Sequence, residues 1–419
     1  MANQSKTILL LTLVFPPDGV STSVLMGELV EELTKRKLTF TVLTTTPHYN
    51  NDPSARQKQP LTRRWAGIFF TSWFGNTAVY HASVSPKGSR ILTRLWDYLR
   101  FHIVTLLIGM SLPRPQVILA PSPPLSVGIV AWCLALWHRV PFVYNVQEIY
   151  PDVAVQLGMV KNRQMIGLLH HLESFVYARA RQIVVISDWF RQNLLAKGVP
   201  PHKLTVIPNF VDTGFITPQN KDNSFALANQ LADKFVVLYA GNLGLTQNFE
   251  MILSAAKRLE STPHILFLLV GDGARKDWLS SQLANSHYPN VTLLPYLPRE
   301  QVPALYASSD VCLVPLKGGT ANQTFPSKIY TIMAAGRPVI ATADPNTELR
   351  WVVETANCGW AIQPDSPDDL CQAILSAYEM PMRRKQLGEN GRTYVTAHYT
   401  RQKVGELYAS LLNQYLHRA

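Results

Sequence analysis

Cysteine is scarce in this sequence, and its spacing suits neither a disulfide framework nor a metal site. The four residues are Cys133, Cys312, Cys358 and Cys371, with no CxxC pair and no ligand-like spacing to a histidine. Secreted disulfide scaffolds and zinc modules both need a denser pattern than this. The sequence therefore predicts a reduced compartment and no structural zinc.

Long apolar segments are missing as well. Residues 8–11 are too few for the core of a signal peptide, and no convincing cleavage site follows them. The apolar run at residues 125–137 has 13 positions, broken only by Ser126 and Gly128. Because a membrane-spanning helix needs about 20 residues, we expect a buried helix there and a protein that stays in the cytoplasm.

Acidic residues are sparse in the first half of the chain. Residues 1–210 hold 21 Lys and Arg against 10 Asp and Glu, whereas the other half holds 18 of each. The whole net charge of +11 therefore lies in the first half of a 419-residue chain. This asymmetry predicts different partners for the two halves, with an anionic surface or substrate for the first, although a solvated basic face has the same composition.

Strand and helix patterns alternate along most of the chain. Residues 7–14 and 40–45 are typical of buried strands, with a proline turn and a helical pattern between them. The same order returns from residue 235, after a polar linker at 217–233. Such a chain, about twice the usual domain length, predicts two doubly wound parallel sheets. In these sheets ligands bind where strands end and helices begin, so Gly19 is expected at a binding edge.

Residues 47–100 are less regular, basic and aromatic. From about residue 90 to residue 110 the pattern becomes helical, with one apolar side formed by Leu92, Leu95, Trp96, Leu99, Ile103, Leu106 and Met110. An interfacial membrane helix has this pattern, and so does a helix that faces a core. The sequence leaves both interpretations open.

Residues 324–341 organise the second half. Pro326 and Ser327 suit a helix start, Gly336 suits its end, and a strand is expected at 338–341. A helix start offers unpaired N–H groups, and Lys328 lies in the first turn. Together they predict an anion site, unless Lys328 is simply a solvated surface lysine.

Seven motifs follow one another between residue 8 and about residue 360. They are FPPDG (15–19), QEIYP (147–151), VIS (185–187), VIPNFVD (206–212), YAGNL (239–243), LVGDG (269–273) and the stretch at 324–341. This order resembles the family 4 glycosyltransferases, and within them the subgroup that builds bacterial surface polysaccharides such as colanic acid or O-antigen. The resemblance implies an α/β protein of GT-B architecture, with two facing Rossmann-like doubly wound domains and a central cleft.

The resemblance also implies a division of labour. Residues 1–210 would bind the acceptor, with a helix at about 400–419 packed back on them, and residues 211–399 would bind a nucleotide-sugar donor, expected to carry UDP. The implied reaction is hexosyl or N-acetylhexosaminyl transfer with retention, to a lipid diphosphate-linked or saccharide acceptor. No metal or other cofactor is expected. The basic domain would sit on the anionic inner face of the cell membrane, and nucleic acid is not an expected partner because no binding module is present.

Site residues follow from the same resemblance. Glu148 and Lys328 would act in catalysis, Glu148 by accepting or orienting the proton of an acceptor hydroxyl. The expected donor-binding residues are Gly19, Gly241, Asn242, Gln247, Gly271, Asp272, Gly273, Tyr296, Leu297, Gln323, Thr324, Ser327 and Thr331. For Glu148 the alternative is an ion pair with a nearby arginine, for Asp272 a turn or cap, and for Thr331 a helix residue with a satisfied hydroxyl.

The chain departs from the family pattern at several of these positions. Asn242 and Gln247 stand where many members have an arginine and a lysine, and Gln147-Glu148 stand where many have His-Asp. The two usual glutamates, eight positions apart, fall on Gln323 and Thr331 when the motif is registered on Met333. Lys328 and backbone N–H groups are then the main candidates for neutralising the diphosphate charge. The departures leave two other functions open: a sugar-nucleotide epimerase of similar shape, and a non-catalytic nucleotide-sugar-binding subunit.

Overall fold

The structure is a computed structural model that describes residues 7–48, 53–85, 91–320 and 324–416. Within it the chain forms two compact units. The first consists of residues up to 155, 160–209 and those from 401 onward, and the second consists of residues 156–159 and 210–400. The predicted boundary, between residues 210 and 211, differs from this division by one residue.

The first unit is built on a nine-stranded sheet in the order β3-β4-β5-β2-β1-β6-β7-β8-β9. Neighbouring strands are parallel except for the β3–β4 and β4–β5 pairs. The strands are β1 Thr7–Leu11, β2 Thr39–Thr45, β3 Thr62–Arg64, β4 Phe69–Phe74, β5 Thr77–Ala82, β6 Val117–Pro121, β7 Phe142–Val146, β8 Gln182–Val185 and β9 Leu204–Val206. Central strands such as β6 and β7 are buried along their whole length, as expected of parallel strands covered on both faces.

Eight α-helices of this unit accompany the sheet among the described residues. They are α1 Ser21–Lys35, α2 Pro53–Lys58, α3 Ile91–Ser111, α4 Val127–His138, α5 Asp152–Gln156, α6 Arg163–Arg179, α7 Asp188–Ala196 and, much later in the chain, α16 Arg401–Leu416. The buried helix expected at residues 125–137 is α4. Ser187 caps α7 through a hydrogen bond from the Phe190 N–H to its hydroxyl, and this helix begins at Asp188.

The region that the sequence analysis treated as irregular contains an antiparallel addition to the sheet. Strands β4 and β5 pair from Phe69 opposite Ala82 to Phe74 opposite Thr77, and Gly75 makes the turn with a φ of +56°. The burial of β5 alternates along most of its length, the pattern of a half-covered strand. The prediction was wrong here because the aromatic and basic side chains of these residues hide the two-residue period.

The second unit has a six-stranded, all-parallel sheet in the order β12-β11-β10-β13-β14-β15. Its strands are β10 Phe235–Ala240, β11 Ile265–Val270, β12 Val291–Leu294, β13 Val311–Pro315, β14 Val339–Thr342 and β15 Gly359–Ile362. Alternate residues of β10 enter two different core clusters, Val236 and Leu238 in one and Val237 and Tyr239 in the other. Both faces of the sheet are therefore covered, which is the doubly wound arrangement.

Helices of the second unit complete both layers. They are α8 Ser224–Ala228, α9 Phe249–Arg258, α10 Lys276–Asn285, α11 Val302–Ala307, α12 Lys328–Ala334, α13 Glu348–Thr355, α14 Pro367–Glu379 and α15 Pro381–His398. The expected helix of the organising stretch is shorter than predicted, because α12 has seven residues and begins at Lys328. Its end is as expected, with Gly336 left-handed at a φ of +67°.

Two expectations about composition can be compared with the structure. All four cysteines are free thiols. Among the helices of the described residues, none combines the length and the apolar character that crossing a bilayer requires.

Candidate functional site

The ammonium of Lys328 is a buried charged group in the second unit. Its Nζ is buried, lies 3.8 Å from the centre of the Tyr239 ring, and has no hydrogen-bond partner among the described residues. Burial lowers its pKa from 10.5 to about 7. Lys328 is thus not a solvated surface lysine. A buried cation without a counter-ion is costly to the fold, so the position favours an anionic ligand.

Glycine brings the backbone of two loops close to this ammonium. A Cβ atom placed on Gly241 would lie 3.1 Å from the Lys328 Nζ. The loop after β11 packs against the loop after β10, since a Cβ on Gly271 would lie 1.9 Å from the Gly241 carbonyl oxygen. Gly271 has a φ of +152°, which only glycine adopts without strain. The strand ends of β10 and β11 therefore form one surface beside Lys328, where Gly241, Gly271 and Gly273 were expected.

Asn242 and Gln247 lie in the loop after β10 but differ in exposure. Asn242 is exposed, and its carbonyl oxygen accepts a 2.6 Å hydrogen bond from the Tyr239 hydroxyl. The Gln247 side chain is buried and braces the loop, because its Oε1 accepts from the Gly244 N–H at 3.1 Å. Its Nε2 donates to the Thr246 hydroxyl at 2.9 Å. Only Asn242 of this pair offers its side chain to a ligand in this conformation.

Asp272 behaves as a turn residue. One carboxylate oxygen accepts a 2.7 Å hydrogen bond from the Gly273 N–H, and the other lies 3.2 Å from Lys276 Nζ. Its alternative interpretation as a turn residue therefore has structural support, while contact with a base stays a prediction. Tyr296 is exposed just after β12, whereas Leu297 is half-buried against the core of the unit. Both lie beyond the carboxyl end of the strand that neighbours β11.

Three polar residues surround the start of α12. The Thr324 hydroxyl donates to the Thr320 carbonyl at 3.2 Å, and the Ser327 hydroxyl makes no capping bond. Thr331 lies one turn into the helix and is half-buried, and its hydroxyl has no hydrogen-bond partner among the described residues, so contact with the donor stays a prediction. Gln323 was also predicted to bind the donor, but it lies outside the described residues.

Glu148 is the corresponding feature of the first unit. It follows β7, is half-buried, and forms no ion pair within the described part of the chain. Burial raises the pKa of its carboxyl group from 4.5 to about 7. The alternative of an ion pair with an arginine is therefore wrong for this structure. A carboxyl group that titrates near neutrality is suited to proton transfer.

A polar network that sequence reasoning missed fixes the residue before Glu148. The Gln147 N–H donates to the Ser122 hydroxyl at 3.1 Å, and its Nε2 donates to Asn145 Oδ1 at 2.6 Å. Asn209 Nδ2 donates to Gln147 Oε1 at 2.8 Å. Asn209 belongs to the VIPNFVD motif, which was the one available signal for it. With both amide atoms engaged, Gln147 holds the backbone that carries Glu148.

Gly19 also lies at the carboxyl edge of the first sheet, in the loop after β1. The adjacent Asp18 is buried, and its Oδ2 accepts a 2.9 Å hydrogen bond from the His48 N–H. The Gln59 side chain donates to the Pro16 carbonyl in the same loop at 2.9 Å. These bonds define the path of the loop, and donor contact by Gly19 stays a prediction.

One group of side chains in the first unit has the ligand types of a metal site. Asp152, His170 and Glu173 bring one ligand atom each to within 4.8 Å of one another. The Lys197 ammonium lies 3.0 Å from Asp152 and 2.7 Å from Glu173. Because this ammonium already takes the place of a cation between the carboxylates, the group fits an internal salt bridge better than a metal ion. A metal-independent reaction stays a prediction.

Comparison with known proteins gives the family. Residues 19–209 match the glycosyl transferase 4-like domain, and residues 220–394 match the model of glycosyl transferases group 1. The chain belongs to the family 4 glycosyltransferases. The order of motifs that predicted this family is therefore confirmed, and the chain is a glycosyltransferase.

Two similar proteins are named as bacterial glycosyltransferases. A putative colanic acid biosynthesis glycosyl transferase, WcaI of Escherichia coli strain K12, is 26% identical over 390 residues, 89% of this chain and 92% of that protein. A probable glycosyltransferase of Pseudomonas aeruginosa, WbjE, is 27% identical over 318 residues, 74% of this chain and 79% of that protein. These relatives place the chain near the colanic acid and O-antigen subgroup, in polysaccharide biosynthesis.

Solved structures confirm the fold. Sucrose-phosphate synthase from Thermosynechococcus elongatus has a TM-score of 0.77 and 19% identity, covering 99% of this chain and all of that one. HepE from Anabaena, solved in complex with UDP-glucose, has a TM-score of 0.72 and 15% identity, covering 97% of this chain and 99% of that one. The predicted α/β, GT-B class with Rossmann-like units is correct.

Proposed function

We propose that the enzyme transfers a sugar from a UDP-linked donor to a lipid diphosphate-linked acceptor, with retention, during assembly of a surface polysaccharide. The observation that carries the donor half is the buried, unpartnered ammonium of Lys328 beside Gly241. Of the similar proteins, HepE was solved with UDP and with UDP-glucose, which supports a uridine donor here. Two relatives support a role in polysaccharide assembly. One is named for colanic acid biosynthesis, and the other is named as a probable glycosyltransferase.

In this proposal Lys328 binds the diphosphate of the donor. An ammonium in a low-dielectric position interacts strongly with phosphate oxygens and needs no reorganisation when charge develops on them. The glycine loops allow the backbone to approach the same phosphates, and Asn242 adds a neutral amide in place of a cation. The Thr331 hydroxyl is free to bond to a hydroxyl group of the donor.

The reaction exchanges one bond at the anomeric carbon. The C1–O bond to the β-phosphate breaks, and its electron pair leaves with the nucleoside diphosphate, whose developing charge Lys328 stabilises. The acceptor hydroxyl forms the new C1–O bond on the same face, which preserves the anomeric configuration. Its proton passes to the Glu148 carboxylate, whose pKa of about 7 suits acceptance at neutral pH.

Donor binding is tested first by thermal shift against a panel of nucleotide sugars. A ligand at a hundredfold excess over its Kd adds about 2.7 kcal/mol of stability, enough to rank donors. Lys328→Met should abolish the shift, whereas Lys385→Met, on an exposed face of α15, should keep it. If Lys328→Met shows the same thermal shift as the wild type, the diphosphate does not bind at Lys328.

Transfer is tested with the selected donor and a polyprenyl diphosphate-linked sugar. We expect one product whose anomeric configuration, read by NMR coupling constants, equals that of the donor. Glu148→Gln should lower turnover roughly a hundredfold or more with donor binding intact. An inverted product would refute retention, and isomerised donor in the absence of acceptor would support an epimerase.

A second candidate function is a non-catalytic nucleotide-sugar-binding subunit. It is favoured because Gln323 and Thr331 stand where the family usually has two glutamates. Such a subunit would bind the donor without hydrolysis or transfer.

A further inference from the structure

A groove at the edge of the second unit takes no part in the site described above. Its volume is about 410 Å³, and small-molecule sites commonly have about 300–1,000 Å³. Strand β15 and the residue after it form one wall, helix α14 forms the other, and α13 contributes an arginine. The polar and aromatic side chains that line this β15 groove are Arg350, Trp360, Gln363, Asp369, Gln372 and Ser376.

The β15 groove is separate from the surroundings of Lys328. Strand β15 is the last strand of its sheet, three places from β10 in the order β10-β13-β14-β15. At about 4.8 Å per strand it lies roughly 14 Å from β10. Helix α14 packs on one core cluster through Leu370 and Ile374, whereas α12 packs on the other through Ile329 and Ile332. The groove therefore lies on a different layer of the unit from α12.

One side of α14 faces the β15 groove. Asp369, Gln372 and Ser376 follow one another at intervals of three and four residues, which places them in one row. The row is about 10 Å long at the helical rise of 1.5 Å per residue. Across from it lies Trp360, which is partly buried against the core. The groove thus sets a polar row opposite an aromatic side chain.

Several polar groups of the groove are not used by the protein. The side-chain amides of Gln363 and Gln372 and the indole N–H of Trp360 make no hydrogen bond among the described residues. The Ser376 hydroxyl has only a weak contact, 3.9 Å from Met380 Sδ. An amide offers donors and an acceptor, and a hydroxyl offers both. The groove can therefore bind a neutral ligand that has many donors and acceptors of its own.

The charged groups of the groove disfavour an anionic ligand. The Arg350 guanidinium is engaged by the protein itself, because it donates to the Ala343 carbonyl at 2.9 Å and lies 3.3 Å from a Glu354 carboxylate oxygen. The other charged side chain of the walls, Asp369, repels phosphate. A nucleotide or another phosphate-bearing ligand is therefore a poor fit.

The free edge of β15 is too short to explain the groove as a peptide site. The strand has four residues, and its Ile362 carbonyl accepts a 3.1 Å hydrogen bond from the Ala343 N–H on the inner side. Because the backbone groups of successive residues point to alternate sides, only Gly359 and Ala361 of the strand direct theirs outward. Pro364 follows shortly and has no N–H. An extended peptide would therefore find few backbone partners.

We propose that the β15 groove binds a neutral oligosaccharide chain. A sugar ring has C–H groups on its faces, which pack on an indole ring, and hydroxyls around its rim, which bond to amides and hydroxyls. The chain is a glycosyltransferase of polysaccharide biosynthesis, so saccharide chains are available to it. A saccharide bound here would stay with the enzyme between transfers. Binding at this groove needs neither the donor nor Glu148, so the proposal goes beyond the function proposed above and does not rest on it.

The test is saturation-transfer NMR of the full-length chain with neutral tetrasaccharides of glucose, galactose or mannose, in the presence of excess UDP. At least one tetrasaccharide should receive saturation, and its monosaccharide should bind roughly tenfold more weakly or less, because a single ring covers only part of the row. Trp360→Leu, which keeps an apolar side chain on the core, should weaken binding roughly tenfold or more. Gln372→Leu, on the exposed side of α14, should weaken it roughly fivefold or more.

The matched control is Gln386→Leu, which makes the same change at an exposed glutamine of α15 and should bind like the wild type. Circular dichroism melts check that all three variants are folded. The proposal is overturned if no tetrasaccharide receives saturation, if Trp360→Leu and Gln372→Leu both bind like the wild type, or if the monosaccharide binds equally well. Binding of a capped peptide of alternating valine and threonine in place of the sugars would also overturn it. Failure of the proposed function would look different, since the donor-induced thermal shift would then be missing while oligosaccharide binding stayed.

Discussion

At the scale of single residues, Lys328 combines a function with a cost to stability. Its pKa is about 7 in the folded protein and 10.5 when unfolded, so between these values the unfolded state binds more protons and stability rises with pH. Below pH 7 the buried charge is fully present and most costly. A charged group with this cost to the fold is suited to a role in ligand binding.

Replacing this ammonium should stabilise the protein without ligand. For Lys328→Met we expect a higher melting temperature of the second unit at pH 7, at about 2–4 °C per kcal/mol gained. The gain should shrink toward pH 10, because the wild-type lysine is then neutral. Differential scanning calorimetry at both pH values measures it. A lower melting temperature at pH 7 would mean that the charge is already compensated.

Glu148 should control the acidic side of the pH–rate profile. Burial raises the pKa of this carboxyl group to about 7, and only the ionised form accepts a proton. Lys328 acts as the ammonium and also titrates at about 7, so kcat/KM is expected to rise as Glu148 ionises and to fall as Lys328 loses its proton, with a narrow maximum near pH 7. In Glu148→Gln the rising side should vanish while residual activity persists. A rising side that survives in this variant would assign the titration to another group.

At the scale of elements, the close contact between the loops after β10 and β11 leaves no room for an added side-chain atom. Gly271→Ala would set a methyl group against the Gly241 carbonyl at a φ of +152°. We expect a loss of about 3 kcal/mol or more in the unfolding free energy of the second unit, together with loss of donor binding. Urea titration followed by circular dichroism measures the loss.

A glycine in the first unit provides the matched control. Gly167 lies inside α6, where an added Cβ has nothing within 4 Å. Gly167→Ala should therefore stabilise the protein by up to about 1 kcal/mol through helix propensity. Equal effects of the two substitutions would show that loop contact is not what makes Gly271 sensitive.

The elements also show which parts of the fold the sequence can predict. Parallel strands such as β10 and β11 were predictable because a strand that is buried on both faces has an unbroken run of apolar residues in its sequence. Lys328 could be placed beside an anion site from its position after Pro326, but its contact with Tyr239 joins residues distant in the chain and leaves no local pattern. For α3 the sequence allowed a core or an interface, since both need the same period. The structure shows Leu99 and Ile103 exposed on α3, while contact of this helix with a membrane stays a prediction.

At the scale of the whole molecule, the first unit depends on residues from both sides of the second. Helix α16 begins with Arg401, whose guanidinium lies 2.7 Å from Glu31 and 3.7 Å from Glu32 on α1. Arg401→Met should lower the stability of the first unit by about 1–3 kcal/mol, because the buried Glu32 loses one of its two arginine partners and keeps Arg36. Limited proteolysis should then cut the first unit faster, whereas the donor-induced shift should stay. Arg383→Met, on the exposed side of α15, is the control.

This discontinuity has a consequence for biosynthesis. A ribosome completes residues 210–400, a compact unit with its own sheet, before it makes the helix that the earlier unit requires. Until then Glu31 and Glu32 lack Arg401, and the surface that Val404, Tyr408 and Leu412 cover stays open to water. During translation the second unit should therefore reach its native fold before the first unit, although most of the first unit is synthesised earlier. A nascent chain stalled before residue 401 would expose this surface to chaperones.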